Sequence, residues 1–130
     1  MQDLVEAKFS IGNIVKHKFL NFRGVIFDLD PVFANTEEWY NAIPKDFRPD
    51  KNQPFYHLFA ENEEVFYIAY VSEQNLLDDV KNGAANHPDI RMIFSHFDGK
   101  LYTSRNSYKL NFNIKMCNLN RGSKNLHSIL

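Results

Sequence analysis

The chain has 130 residues, 44% of them hydrophobic, with twelve Phe, six Tyr and a formal net charge of −1. That length suits one domain, and that composition can bury a core, which argues against wholesale disorder. The charge balance excludes bulk packaging of nucleic acid, where counterion release by a strongly basic protein supplies much of the affinity, but it leaves room for a local basic face.

The single Cys117 excludes an intrachain disulfide and, with no Cys/His cluster, fits a reducing cytoplasm. The opening "MQDLVEAKF" has no apolar core behind a positive charge, so no secretory leader is expected. No apolar stretch approaches the roughly 20 residues of a membrane span. A soluble cytoplasmic protein is the expectation, and its aromatic richness favours β structure.

Residues 1–7 read as a lead-in. Residues 9–19 place Phe9, Ile11, Val15, His17 and Phe19 at odd, inward positions, with Gly12-Asn13 as a bend or bulge between two strand pieces. Asn21 to Gly24 turns into a second strand over 25–29. Strict alternation there puts Val25, Phe27 and Leu29 on one face and Ile26, Asp28 and Asp30 on the other, and Asp30-Pro31 stops the ladder. Residues 32–54 form a long insertion with Pro44, Pro49 and Pro54. Its "NTEEWYNAI" predicts a helical turn or two capped by Asn35 or Thr36, with Trp39 and Tyr40 folding back on the domain.

"FYHLFA" (55–60) and "VFYIAYV" (65–71) read as a hairpin around the acidic turn "ENEE". "SEQNLL" (72–77) predicts a helical turn, with Ser72 capping the backbone N–H of Gln74 or Asn75. After a polar loop, Pro88 and Asp89 open a predicted helix whose stripe is Ile90, Ile93, Phe94 and Phe97, ended by Asp98-Gly99. Residues 100–112 add an extended segment. Residues 113–130 are basic, lack a sustained apolar period and are expected to be poorly ordered.

The chain shows no phosphate-cradling glycine loop, no zinc spacing and no H-E-x-x-H motif, and Cys117 has no histidine near it in sequence. No enzyme, cofactor or metal is therefore expected. Asp28 and Asp30 point the same way; paired carboxylates can bind a metal or share a proton, but with no further carboxylate or His adjacent in sequence they read as the solvent-facing half of their strand. His17 and His57 could meet if their strands pair, and each reads as a core or cross-strand histidine bonded to backbone.

The basic group is Lys8, Lys16, Lys18 and Arg23, in a sixteen-residue run without an acid. Lys16 and Lys18 alternate with inward residues and Arg23 offers a planar fork, so these three are the candidate DNA-contacting residues. Acidic residues cluster at Glu61, Glu63 and Glu64 and again at Glu73, Asp78 and Asp79. Trp39 and Phe47 are the candidate aromatic anchors for a protein partner.

The stretch "KFSIGNIVKHKFLNFRGVIFDLDPVF" resembles the opening of the HspQ family, also called the YccV-like or hemimethylated-DNA-binding domain. The elements are Phe9, Ile11-Gly12, Val15, His17, Gly24-Val25-Ile26 and Asp28-Leu29-Asp30-Pro31. "NQPFYHLFAENEE", "YIAYVSEQNLL" and "HPDIRMIF" continue the likeness, the last as in longer, alphaproteobacterial-type members. The resemblance implies a mainly β fold: a small, strongly bent SH3-like β-barrel over residues 8–112, here with a long insertion and one short C-terminal helix.

It also implies two activities. One is that of a heat-shock protein acting as adaptor or regulator of turnover by the Lon protease, whose substrates include the replication initiator. The other is binding of hemimethylated DNA at the replication origin. An exposed edge strand in so small a barrel would support a homo-oligomer. The insertion at 32–54 and the tail after residue 112 depart from the family pattern.

Overall fold

The computed structural model describes residues 6–104. They are mainly β. Strands β1 (Ile14–His17), β2 (Arg23–Asp30), β3 (Phe55–Glu61), β4 (Phe66–Ser72) and β5 (Leu76–Asp78) form one antiparallel sheet in the order β4-β3-β2-β1-β5. Strands β6 (Phe94–Phe97) and β7 (Tyr102–Ser104) make a separate hairpin. The helices are single turns, α1 (Glu37–Asn41) and α2 (Ile90–Ile93). No helix among the described residues is long and apolar enough to cross a membrane. The expected lead-in lies largely outside the described residues, as do residues 105–112, the basic tail and Cys117.

The sheet is strongly bent, for a reason of chain length. A flat five-stranded sheet is about 19 Å across at ~4.8 Å per strand. β4 and β5 lie at its opposite edges, yet only Glu73–Asn75 connect them, and four residue steps reach at most ~14 Å. The sheet therefore curls, and Val71 of β4 and Leu76 of β5 share one buried cluster with Val15, Ile26, Tyr56 and Leu58. Among the described residues the curl is not closed into a barrel by hydrogen bonds between the two edges.

A second cluster covers the other face. Ile14, Val25, Phe27, Phe59 and Ile68 of the sheet pack against Ile90, Ile93, Phe94 and Tyr102 from the C-terminal segment. That segment is tied down at Gly12, where the Tyr102 N–H donates to the Gly12 carbonyl at 3.0 Å and Asn13 bridges Leu101. Gly12 has φ +98°, and a Cβ there would lie 2.2 Å from the Tyr102 carbonyl oxygen. Gly12-Asn13 is thus a turn before β1 and a seat for β7. It does not divide two strand pieces, because β1 begins only at Ile14.

Four further expectations are corrected. Phe19 is not inward: β1 ends at His17 and Phe19 is 78% exposed. The helical turn at Glu73–Asn75 is short, and Leu76 and Leu77 continue as strand because β1 offers them a free edge. Ser72 does not cap it: the Gln74 N–H donates to the Gln53 side chain at 2.9 Å, and Ser72 Oγ is buried without a partner. The helix expected to run to Phe97 stops at Ile93, and Phe94–Phe97 is strand, since pairing with Tyr102–Ser104 satisfies its backbone.

The most consequential correction concerns β2. Its pairing with β3 shifts register between Ile26 and Asp28, leaving Phe27 as the extra residue of a β-bulge. Ile26 faces the cluster with Tyr56 and Leu58, whereas Phe27 stacks on Phe59 at 4.2 Å across the opposite face. The bulge carries Asp28 and Asp30 onto that same face, beside His57, so the face predicted by alternation for these two carboxylates is reversed.

Candidate interaction surface

The basic residues come together, but unequally. Lys16, Lys18 and Arg23 all line one cleft of about 600 Å³ between the β1–β2 turn, the β3–β4 turn and the loop after β5. Lys18 is exposed and Lys16 half-buried, as their alternation with Val15 and His17 predicts. Arg23 is turned into the fold. Its Nε donates to Asp79 at 2.6 Å, and its two terminal nitrogens donate to the carbonyls of Ala84, Asp79 and Gly83. Asp79 is 2% exposed, so this is a buried ion pair that fastens the 79–84 loop to β2.

Acidic groups share the cleft. Glu61 is buried and accepts the Asn86 N–H at 2.7 Å, and Glu63 accepts from Asn21 at 2.9 Å. The hairpin tip is therefore less a charged cluster than a set of loop ties. Over residues 6–104 there are ten Lys/Arg and fifteen Asp/Glu, whereas residues 105–130 carry five Lys/Arg and no acid.

A second cleft, of about 450 Å³, adjoins the first. It lies between the β1–β2 turn and the insertion and is lined by His17, Phe19, Leu20, Phe47, Arg48 and Asn75 among others. Phe19 is 78%, Phe47 63% and Leu20 44% exposed. Large apolar groups this open to water cost nothing singly, but here three surround one concavity. His17 sets the geometry of two of them: its Nδ1 accepts the N–H groups of both Phe19 and Leu20 at 3.0 Å. It is buried and backbone-bonded, as the sequence suggests, but it never meets His57, because β2 lies between their strands.

The two aromatic candidates separate. Phe47 sits on the exposed turn Lys45–Phe47. Trp39 belongs to α1, capped by Thr36 Oγ1 at 3.0 Å, and folds back so that its ring meets Tyr70 at 5.4 Å and Phe33 at 5.7 Å. Its Nε1 is buried without a partner. Phe33 and Phe55 complete this aromatic plug, and Tyr40 reaches the Pro49 carbonyl at 2.7 Å.

At the edge of the plug lies a polar group the sequence did not reveal. His57 Nε2 is 3.1 Å from Asp30 Oδ2, and the Tyr70 hydroxyl donates to the same oxygen at 2.9 Å while accepting the Ala34 N–H at 3.0 Å. Burial works to raise the Asp30 carboxyl, but the hydrogen bonds from His57 and Tyr70 and the charge of the imidazole hold it below its ordinary value. Burial pushes Asp28 the other way, above its ordinary value, with His57 opposing. Burial likewise raises the Tyr70 phenol, and its acceptor Asp30 adds to the effect.

Fold and surface together define a small mainly β domain with a mixed-charge cleft and an exposed apolar cleft side by side. Residues 7–101 match the family model described as hemimethylated DNA-binding protein YccV like, and the chain belongs to that family. DNA binding is the property that this membership supports. Curated relatives are F-box only protein 21 of Homo sapiens and of Pongo abelii, each 34% identical over 95 residues, and that of Mus musculus, 33% identical. The match covers 72% of this chain but only 15% of those proteins. No solved structure matches.

Proposed function

We propose that the chain is a non-enzymatic adaptor domain that regulates protein turnover by the Lon protease under heat stress, and that it holds a protein partner at the cleft between Phe19, Leu20 and Phe47. The observation that carries this reading is the exposure of those three side chains around one concavity on a domain of net negative charge. A few well-packed side chains, often aromatic, supply most of an interface's affinity. An adaptor needs no catalytic group, because raising the local concentration of a substrate near its protease is sufficient.

The test is a degradation assay with purified Lon and a candidate substrate such as the replication initiator. Added protein should change the substrate's half-life, and the double variant Phe19→Ser, Phe47→Ser should abolish that change. No effect of the wild-type protein on any substrate, or full effect of the double variant, would overturn the reading.

The family description favours a second reading, contact with hemimethylated DNA. This reading takes Lys16 and Lys18, which line the mixed-charge cleft, as the phosphate contacts, with Arg23 holding the adjoining loop in position. Each phosphate contact should lower log affinity by roughly 0.9 per log unit of salt. Removing both lysines should reduce that slope by about two and weaken all sequences alike. Binding insensitive to salt, or to the loss of both lysines, would exclude this surface.

A further inference from the structure

We propose that Asp28, Asp30 and His57 form a site for a divalent transition-metal ion, with Zn²⁺ as its best-fitting occupant. One oxygen of each carboxylate and one ring nitrogen of His57 all lie within 4.8 Å of one another. His57 Nε2 and Asp30 Oδ2 are 3.1 Å apart, a hydrogen-bond spacing that a few tenths of an ångström would open to the ~3.4 Å between two ligands of a tetrahedral ion bound at about 2.1 Å.

Three features make this a built arrangement. The bulge at Phe27 is what turns both carboxylates to the face of His57; without it Asp28 would lie on the opposite face. Asp28 stands directly across from His57 in the β2–β3 register. Asp30 is oriented by the Tyr70 hydroxyl at 2.9 Å, the outer-shell contact that fixes a ligating carboxylate.

The ligand set chooses the ion. An imidazole with two carboxylates suits Zn²⁺ and its neighbours in the first transition row, whereas Ca²⁺ and Mg²⁺ prefer oxygen alone. The side chains of His57 and Asp30 are 18% and 25% exposed, so an ion can enter from solvent and keep water in its remaining positions. The site lies on the face covered at one end by the aromatic plug of the insertion and at the other by the C-terminal segment. An ion there would brace the sheet between the two covers.

The experiment is calorimetric titration of the metal-stripped full chain with zinc chloride alone, repeated on Asp28→Asn and His57→Gln. The expected result is saturable one-to-one binding, weakened at least tenfold in each variant. Tyr70→Phe, which keeps the ring and removes the hydroxyl, should weaken it by a smaller factor. Circular dichroism of each variant distinguishes lost ligands from lost fold, and Co²⁺ substitution gives an independent reading through visible absorption that the Asp28→Asn variant should lose. Absence of saturable zinc binding by the wild-type chain would overturn the proposal. So would affinity unchanged in folded Asp28→Asn and His57→Gln, which would place the ion elsewhere.

Discussion

Arg23 sends its donors into the loop that follows β5, and Asp79 is too deeply buried for water to replace them. Removing one member of such a pair leaves the other buried and uncompensated. Arg23→Ala should therefore cost about 3 kcal/mol in urea denaturation. Arg23→Lys should recover only part, since an ammonium cannot reproduce the planar fork that reaches Asp79 and the Gly83 carbonyl together. His87 presents the opposite problem, a ring with a buried cost of charging. Burial between Phe59 and Phe66 holds its pKa below the ordinary value, against the opposing fields of Asp89 and Glu61.

The unfolded chain thus takes up this proton more readily than the folded one. The stability due to neutral His87 is complete above the unfolded pKa of about 6.5 and is lost as pH falls toward the lower folded value. Melting temperature should decline from pH 7 to pH 5, and His87→Gln should flatten that decline while lowering the starting value. Asp28, raised by burial, has the reverse sign: its ionised form opposes folding above the ordinary carboxylate pKa. In metal-free buffer at pH 7, Asp28→Asn should raise the melting temperature.

Elements show where sequence periodicity is a sufficient guide and where it is not. The β3–β4 hairpin, the end of β2 at Asp30-Pro31, a cap at Asn35 or Thr36 (Thr36 in the structure) and the outward Lys18 were all legible, because each follows from alternation, proline geometry or a short polar side chain. The bulge at Phe27 was not. Nothing in "RGVIFDLD" distinguishes an extra residue from regular alternation, and only the partner strand reveals that Asp28 lies opposite His57. For the same reason only part of the Asp28–Asp30–His57 group was legible: the shared face of the two carboxylates was, but not His57, which lies 27 positions beyond Asp30 on another strand.

The Ile90–Phe97 stripe misled differently. Residues spaced for a helix also served a one-turn helix followed by a strand, and the choice was made by Tyr102–Ser104 further along the chain. Gly12 offers a direct check on how that later segment is seated. Gly12→Ala meets both a positive φ and a carbonyl at 2.2 Å, and should destabilise by at least about 2 kcal/mol. The loss of protection in hydrogen exchange should be greatest over 94–104.

For the molecule as a whole, stability and partner binding are assigned to different side chains. Phe19 and Phe47 contribute little to the core, so the double serine variant should unfold within about 0.5 kcal/mol of wild type while losing its effect on proteolysis. Arg23→Ala should do the converse, weakening the fold with the apolar cleft chemically intact. Measuring denaturation and substrate half-life on both variants would separate the two roles.

The bridge between Asn13 and Leu101 has an architectural consequence. Positions 88 apart in the sequence, near the two ends of the described residues, therefore lie side by side. A unit whose two ends meet can be spliced into the middle of a bigger protein without prising its neighbours apart.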